Sequence, residues 1–183
     1  MDSQFVSYGL LADLAQRSER NALNLGKAKI QKLVFLLNEL YKLETGYKFK
    51  FFSSGPFSAE LAGDIDYLGK IDILKLGEVK GGDGYQISLG AKAKEVIDIV
   101  KSDLEPMEKD IEKMLSEFGD LSPTDLDLIT TLVYVSKYDP GFHGQMDRLV
   151  EKTKELKPKV QSSTIEETIG RLSSKGHLRI TAG

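Results

Sequence analysis

Two histidines, His143 and His177, are the chain's only side chains that ordinarily titrate near neutral pH, and they lie in different contexts. His143 sits in a Gly-Phe-His-Gly loop, and His177 follows a helix stop at Gly176. No Gly-x-Ser-x-Gly elbow accompanies them, and no His-Glu-x-x-His run offers metal-ligand spacing. Cysteine is absent, which excludes a thiolate zinc site, a cysteine nucleophile and any disulfide. The carboxylate pairs Asp64/Asp66 and Glu166/Glu167 stand one or two steps apart on predicted helices, where side chains do not face each other. Gly81-Gly82-Asp83-Gly84 lacks the Lys-Ser/Thr pair of a phosphate loop and reads as a hairpin turn instead. These residues point to a non-enzymatic protein, with no catalytic residue, no cofactor and no metal.

The chemistry that remains is charge. The chain of 183 residues carries a formal net charge of -3, so nothing attracts it as a whole to a phosphate backbone. Locally the balance reverses. Residues 1–50 hold eight Lys and Arg against five acids, and Arg17, Arg20, Lys27, Lys29 and Lys32 crowd the approach to one helix. Such a patch is able to hold phosphates, with Lys80 in the hairpin and Arg171 and Lys175 near the last helix as further contacts. Ordinary surface lysines are the other reading. Residues 103–120, with seven acids against two lysines, oppose DNA on any face they share.

Helical spacing places elements around these groups. Ser3–Ser18 and Lys27–Leu43 read as helices, the second so apolar over Leu33–Leu37 that it must be covered on more than one side. Tyr47, Phe49 and Phe51 alternate with Lys48 and Lys50, a strand signature. Gly55-Pro56 turns the chain into a helix over Ser58–Lys70, which either Gly55 or Ser58 caps. Strands flanking Gly81–Gly84 follow. Helix, helix, strand, helix, hairpin is a winged-helix order, yet the helix in the reading position carries Glu60, Asp64 and Asp66.

From Ala93 to Phe118 apolar residues recur in heptad fashion, which suits either a homodimer seam over 93–118 or two helices packing on their own chain. Pro106 favours a restart near Ser102–Pro106. Ser122-Pro123-Thr124-Asp125 opens a buried helix, another follows over Gln145–Leu156, and Ser163-Thr164-Ile165-Glu166 reads as a capping box before a final helix and a closing strand, His177–Thr181. The expected fold is mostly α with small β: a winged-helix-like domain over 1–101 and a helical domain over 102–183, with a second winged-helix-like arrangement as one option. The start lacks a signal-peptide pattern and no apolar run spans a bilayer, so a cytoplasmic protein without membrane contact is expected.

At Lys29-Ile30-Gln31-Lys32-Leu33 and at Gly55-Pro56-Phe57-Ser58, with Leu61, Asp64 and Leu68 behind it, the chain resembles the uncharacterised YwgA-like proteins and, more distantly, the Panacea domain of antitoxin-like proteins. The resemblance covers about residues 5–100. It implies a small, non-catalytic, winged-helix-like protein that binds a protein partner. Gln31, Lys32, Gly55, Pro56, Phe57 and Ser58 are the positions it transfers, as a family-motif or partner surface. DNA binding as a transcriptional regulator is the alternative expectation.

Overall fold

In the computed structural model, residues 3–78 and 85–181 are described, and they are mostly helical with two small antiparallel sheets. The elements in order are α1 (Ser3–Arg20), α2 (Lys27–Leu40), β1 (Lys50–Phe52), β2 (Gly55–Phe57), α3 (Ala59–Lys70), β3 (Leu74–Glu78), β4 (Tyr85–Leu89), α4 (Ala93–Leu104), α5 (Glu108–Phe118), α6 (Pro123–Tyr138), α7 (Met146–Leu156) and α8 (Ser162–Ser174). A 3₁₀ turn over Glu105–Met107 joins α4 to α5. The turn residues Gly81–Gly84 and Lys80 lie outside the described residues.

Two compact units result: residues 1–50 with 57–121, and residues 51–56 with 122–183. This differs from the expected division at 101/102. The reason is α5, which packs on α2 and buries Ile111, Met114, Leu115 and Phe118, and so belongs to the first unit.

The first unit is built on α2. Ile30 and Leu33 through Leu37 are all essentially inaccessible, which is why that run carries no polar face. Helix α1 packs against α4 at very short range, because a Cβ at Gly9 would meet Val100 Cγ2 at 2.1 Å. Strands β3 and β4 pair from Leu74↔Leu89 to Glu78↔Tyr85. On its other edge β4 meets the chain before α2: the Ile87 amide donates to the Leu25 carbonyl at 2.7 Å, and Gly26 bridges Gln86.

Most of the heptad seam packs inside this unit, with Ile97 and Met107 half-buried. Ala93, Val100 and Leu104 are buried on α4, and Ile111, Met114 and Phe118 on α5. Pro106 sits in the 3₁₀ turn, where its missing N–H leaves no helical hydrogen bond unmade, and the chain restarts there as expected.

The loop from Tyr41 to Phe49 is pinned rather than extended. Asn38 Nδ2 donates to the Tyr47 carbonyl at 2.9 Å, Thr45 Oγ1 donates to Asn38 Oδ1 at 2.5 Å, and Ser7 Oγ donates to the Thr45 carbonyl at 2.8 Å. The strand starts only at Lys50, while Tyr47 is buried and Phe49 meets Phe35 edge to face at 5.4 Å.

In the second unit α7 packs on both α6 and α8. Ser122 caps α6, its Oγ accepting from the Asp125 amide at 3.1 Å, with Pro123 in the first turn. Within this unit Lys157 Nζ pairs with Asp127 and donates to the Ser53 carbonyl at 3.0 Å, and Phe51 stacks on Tyr134 at 4.8 Å. Two expectations fail here. Helix α8 begins two residues early, with Gln161 as an N-cap that makes no side-chain bond, so Ser163 lies inside the first turn and no capping box forms. Residues 177–181 form no strand; a loop holds their end, where the Thr181 amide donates to the Gly144 carbonyl at 3.0 Å.

Candidate functional site

The junction of α2 and α3 is built from buried polar contacts. Gln31 is only 5% exposed, yet both ends of its amide are satisfied. Its Nε2 donates to the Ser58 carbonyl and its Oε1 accepts from the Ser58 amide, each at 2.9 Å. Ser58 in turn caps α3, its Oγ accepting from the Leu61 amide at 3.3 Å. Ser58 is therefore the cap, and Gly55, at φ 88°, lies in β2. Of the Gly55–Ser58 motif, Gly55 and Pro56 are buried in the second unit, whereas Phe57 and Ser58 belong to the first.

Helix α3 buries Leu61, Ile65 and Leu68 and exposes Glu60, Gly63, Asp66, Tyr67 and Lys70. Asp64 is the exception. It is half-buried instead, because Oδ2 accepts from the Tyr47 hydroxyl at 3.0 Å and Oδ1 from the Tyr8 hydroxyl at 3.4 Å. Burial first, and the Asp64 charge second, push both tyrosine hydroxyls above their ordinary range. Sequence offered no signal for this pairing, since Tyr8 and Tyr47 are brought to Asp64 by two separate segments. Asp66 is exposed and pairs with Lys27 Nζ at 2.6 Å, while the same ammonium lies 4.7 Å above the Tyr85 ring.

The outer face of α3 is thus Glu60, Gly63, Asp66, Tyr67 and Lys70. Tyr67 is 48% exposed and its ring leans on Tyr8 at 5.8 Å. No Cβ built at Gly63 meets any atom within 4 Å, so the middle of this face is open.

The expected phosphate patch is largely consumed by the fold. The Arg17 guanidinium contacts three carboxylates: Asp13 at 2.7 Å, Glu112 at 2.9 Å and Glu108 at 3.3 Å. Lys27 is held by Asp66. Lys29 and Lys32 are 7% and 6% exposed, so neither presents an ammonium freely to a ligand. Burial pushes the Lys29 ammonium below the ordinary lysine range, with Asp120 acting in opposition. Lys80 lies outside the described residues. Arg20, Arg171 and Lys175 are exposed, Arg20 on the first unit and the other two on the second.

Of the histidines, His143 is exposed and His177 half-buried, both in the second unit. Among the described residues no group of three or more His, Asp or Glu is placed to hold a metal ion, and no helix is long and apolar enough to cross a membrane. Compared with protein-family models and with curated proteins, the chain matches none.

Proposed function

We propose that the protein is a non-enzymatic, winged-helix-like regulatory or interaction protein, of antitoxin-like or adaptor type, that acts by binding a protein partner. The order α1, α2, α3, β3, β4 supports the winged-helix reading, with Leu25–Gly26 on the edge of β4 standing for the short strand between the first two helices. The Gln31–Ser58 contact supports the resemblance to YwgA-like proteins, because it joins the Lys-x-Gln-Lys-Leu helix to the Gly-Pro-Phe-Ser helix start.

One observation carries the choice of partner: the exposed face of α3. Major-groove readout needs Arg, Lys, Asn or Gln donors, and this face supplies Lys70 alone among Glu60, Asp66 and Tyr67. DNA presents one negative charge per ~1.7 Å of axis, so Glu60 and Asp66 oppose its approach. A half-exposed tyrosine ring beside unburied carboxylates suits a protein surface, where tyrosine supplies much of the contact energy.

Glu60→Lys combined with Tyr67→Ala tests the reading, since both side chains are exposed. The wild-type chain is expected to retain a discrete protein in a pull-down that the double variant loses at unchanged thermal stability. A wild type that retains none, or a variant that retains the same one, overturns it. The DNA reading keeps Arg20, Arg171 and Lys175 as exposed cations. A labelled duplex that shifts at ~50 mM salt, with a steep salt slope, favours that reading instead.

A further inference from the structure

Inside the first unit a cleft of about 600 Å³ opens between α1, the end of β4 and α4. That is within the range of small-molecule sites, roughly 300–1,000 Å³. Its walls are mixed in a specific way. Leu89, Ile97 and Leu104 give it an apolar lining. Several of the charges around it are already paired: Arg17 with Asp13 and Glu108, and Lys94 with Asp98. Three donors are left over. The Arg20 guanidinium, the Lys101 ammonium and the Gln16 amide line the cleft and make no side-chain hydrogen bond or ion pair among the described residues. The lining as a whole is balanced, Asp13, Asp98, Glu105 and Glu108 against Arg17, Arg20, Lys94 and Lys101, and Glu105 is the acid among them without an ion pair among the described residues.

We propose that this cleft binds a small organic anion with an apolar body, a carboxylate carried on an alkyl chain. The carboxylate takes the donors of Arg20 and Lys101, and guanidinium in particular matches its two oxygens. The chain lies along Ile97, Leu104 and Leu89, where its burial is favourable in proportion to area. An inorganic phosphate would satisfy the cations and leave the apolar wall wet. A neutral alcohol would do the reverse. The carboxylate is the class that uses both halves of the lining.

The test is a titration of the full-length protein, followed by backbone amide chemical shifts, with octanoate, octanol and inorganic phosphate as the three probes. Octanoate is expected to saturate in the low millimolar range, as befits so small a ligand, with shifts concentrated at Leu89–Ala93, Ile97 and Leu104. Octanol and phosphate each bind at least about tenfold more weakly. Arg20→Gln with Lys101→Gln, both exposed and therefore neutral for folding, weakens octanoate at least about tenfold and leaves octanol unchanged. Absence of a saturable shift, equal binding of octanol, or octanoate affinity unchanged in the double variant each overturns the proposal.

Discussion

The Gln31 side chain and the Ser58 main chain exchange two hydrogen bonds of 2.9 Å each, both buried, across 27 residues of sequence. The pairing resembles one rung of a sheet, made by a side-chain amide. It closes the loop that leaves α2 and sets the position where α3 starts. Gln31→Leu leaves the Ser58 amide buried without a partner, at roughly 1–3 kcal/mol, while the Ser58 carbonyl keeps the bond from the Ala62 amide at 3.1 Å. Chemical denaturation is expected to show a loss of about 2 kcal/mol. Ser58→Ala, which removes only the cap on α3, should lose about 1 kcal/mol. A Gln31→Leu variant as stable as wild type contradicts the arrangement.

Gly9 marks the closest approach of α1 and α4. An added methyl would lie 2.1 Å from Val100 Cγ2, so the Val100 side chain must turn or a helix must shift. Gly9→Ala gains about 1 kcal/mol of helix propensity and still destabilises, because overpacking costs typically 1–3 kcal/mol. Val100→Ala makes room for the new methyl. Thermal melts of both single variants and the double variant are expected to show strong non-additivity, the double being more stable than the sum of the singles implies.

Ala22 has φ 54° and is exposed in the turn after α1. A left-handed backbone costs a residue with a Cβ roughly 1–2 kcal/mol, and glycine avoids that cost. Glycine also frees the unfolded chain by about 0.4–1 kcal/mol, which offsets part of the gain. Ala22→Gly should therefore stabilise by about 0.5 kcal/mol, seen as a higher denaturation midpoint at unchanged slope.

Tyr47 gives the protein an alkaline limit. Its hydroxyl is held above the ordinary tyrosine range, by burial first and by Asp64 second. Below pH ~10 the proton is bound in both folded and unfolded chains, and that part of the stability is fully present. Above pH ~10 the unfolded chain releases the proton while the folded one keeps it, so stability falls as pH rises. The slope from this one group reaches at most about 1.4 kcal/mol per pH unit. Denaturation curves from pH 8 to 11 are expected to show a shallower decline for Tyr47→Phe than for wild type. Parallel declines remove Tyr47 as the cause.

Much of the helical outline was legible because its signals are local. Ser58 and Ser122 cap helices where their positions suggest, the latter with Pro123 behind it. Pro106 breaks the heptad run where a missing N–H demands a break. The failures were local signals that lost to a neighbour. Ser163–Glu166 has the composition of a capping box, but the helix starts two residues sooner and draws Ser163 into its first turn. The period-2 pattern from Tyr47 to Phe51 is real, but Asn38 and Ser7 hold the Thr45–Tyr47 backbone and delay the strand to Lys50.

The sequence by itself determined that the chain is mostly helical with a little β structure, that α2 lies at the centre of its unit, and that thiolate chemistry is absent. Each follows from side-chain type and near-neighbour spacing. Only the tertiary structure decided what the charges do. Arg17, Lys27, Lys29 and Lys32 read as one basic patch in sequence. The packing of α1 on α4 and α5, and of α2 on α3 and α5, turns the first two into ion-pair partners and buries the last two. The same packing leaves Arg20 and Lys101 without carboxylate partners among the described residues, on a partly apolar cleft. A charge is available to a ligand only when no partner from another segment reaches it first, and that depends on which helices meet.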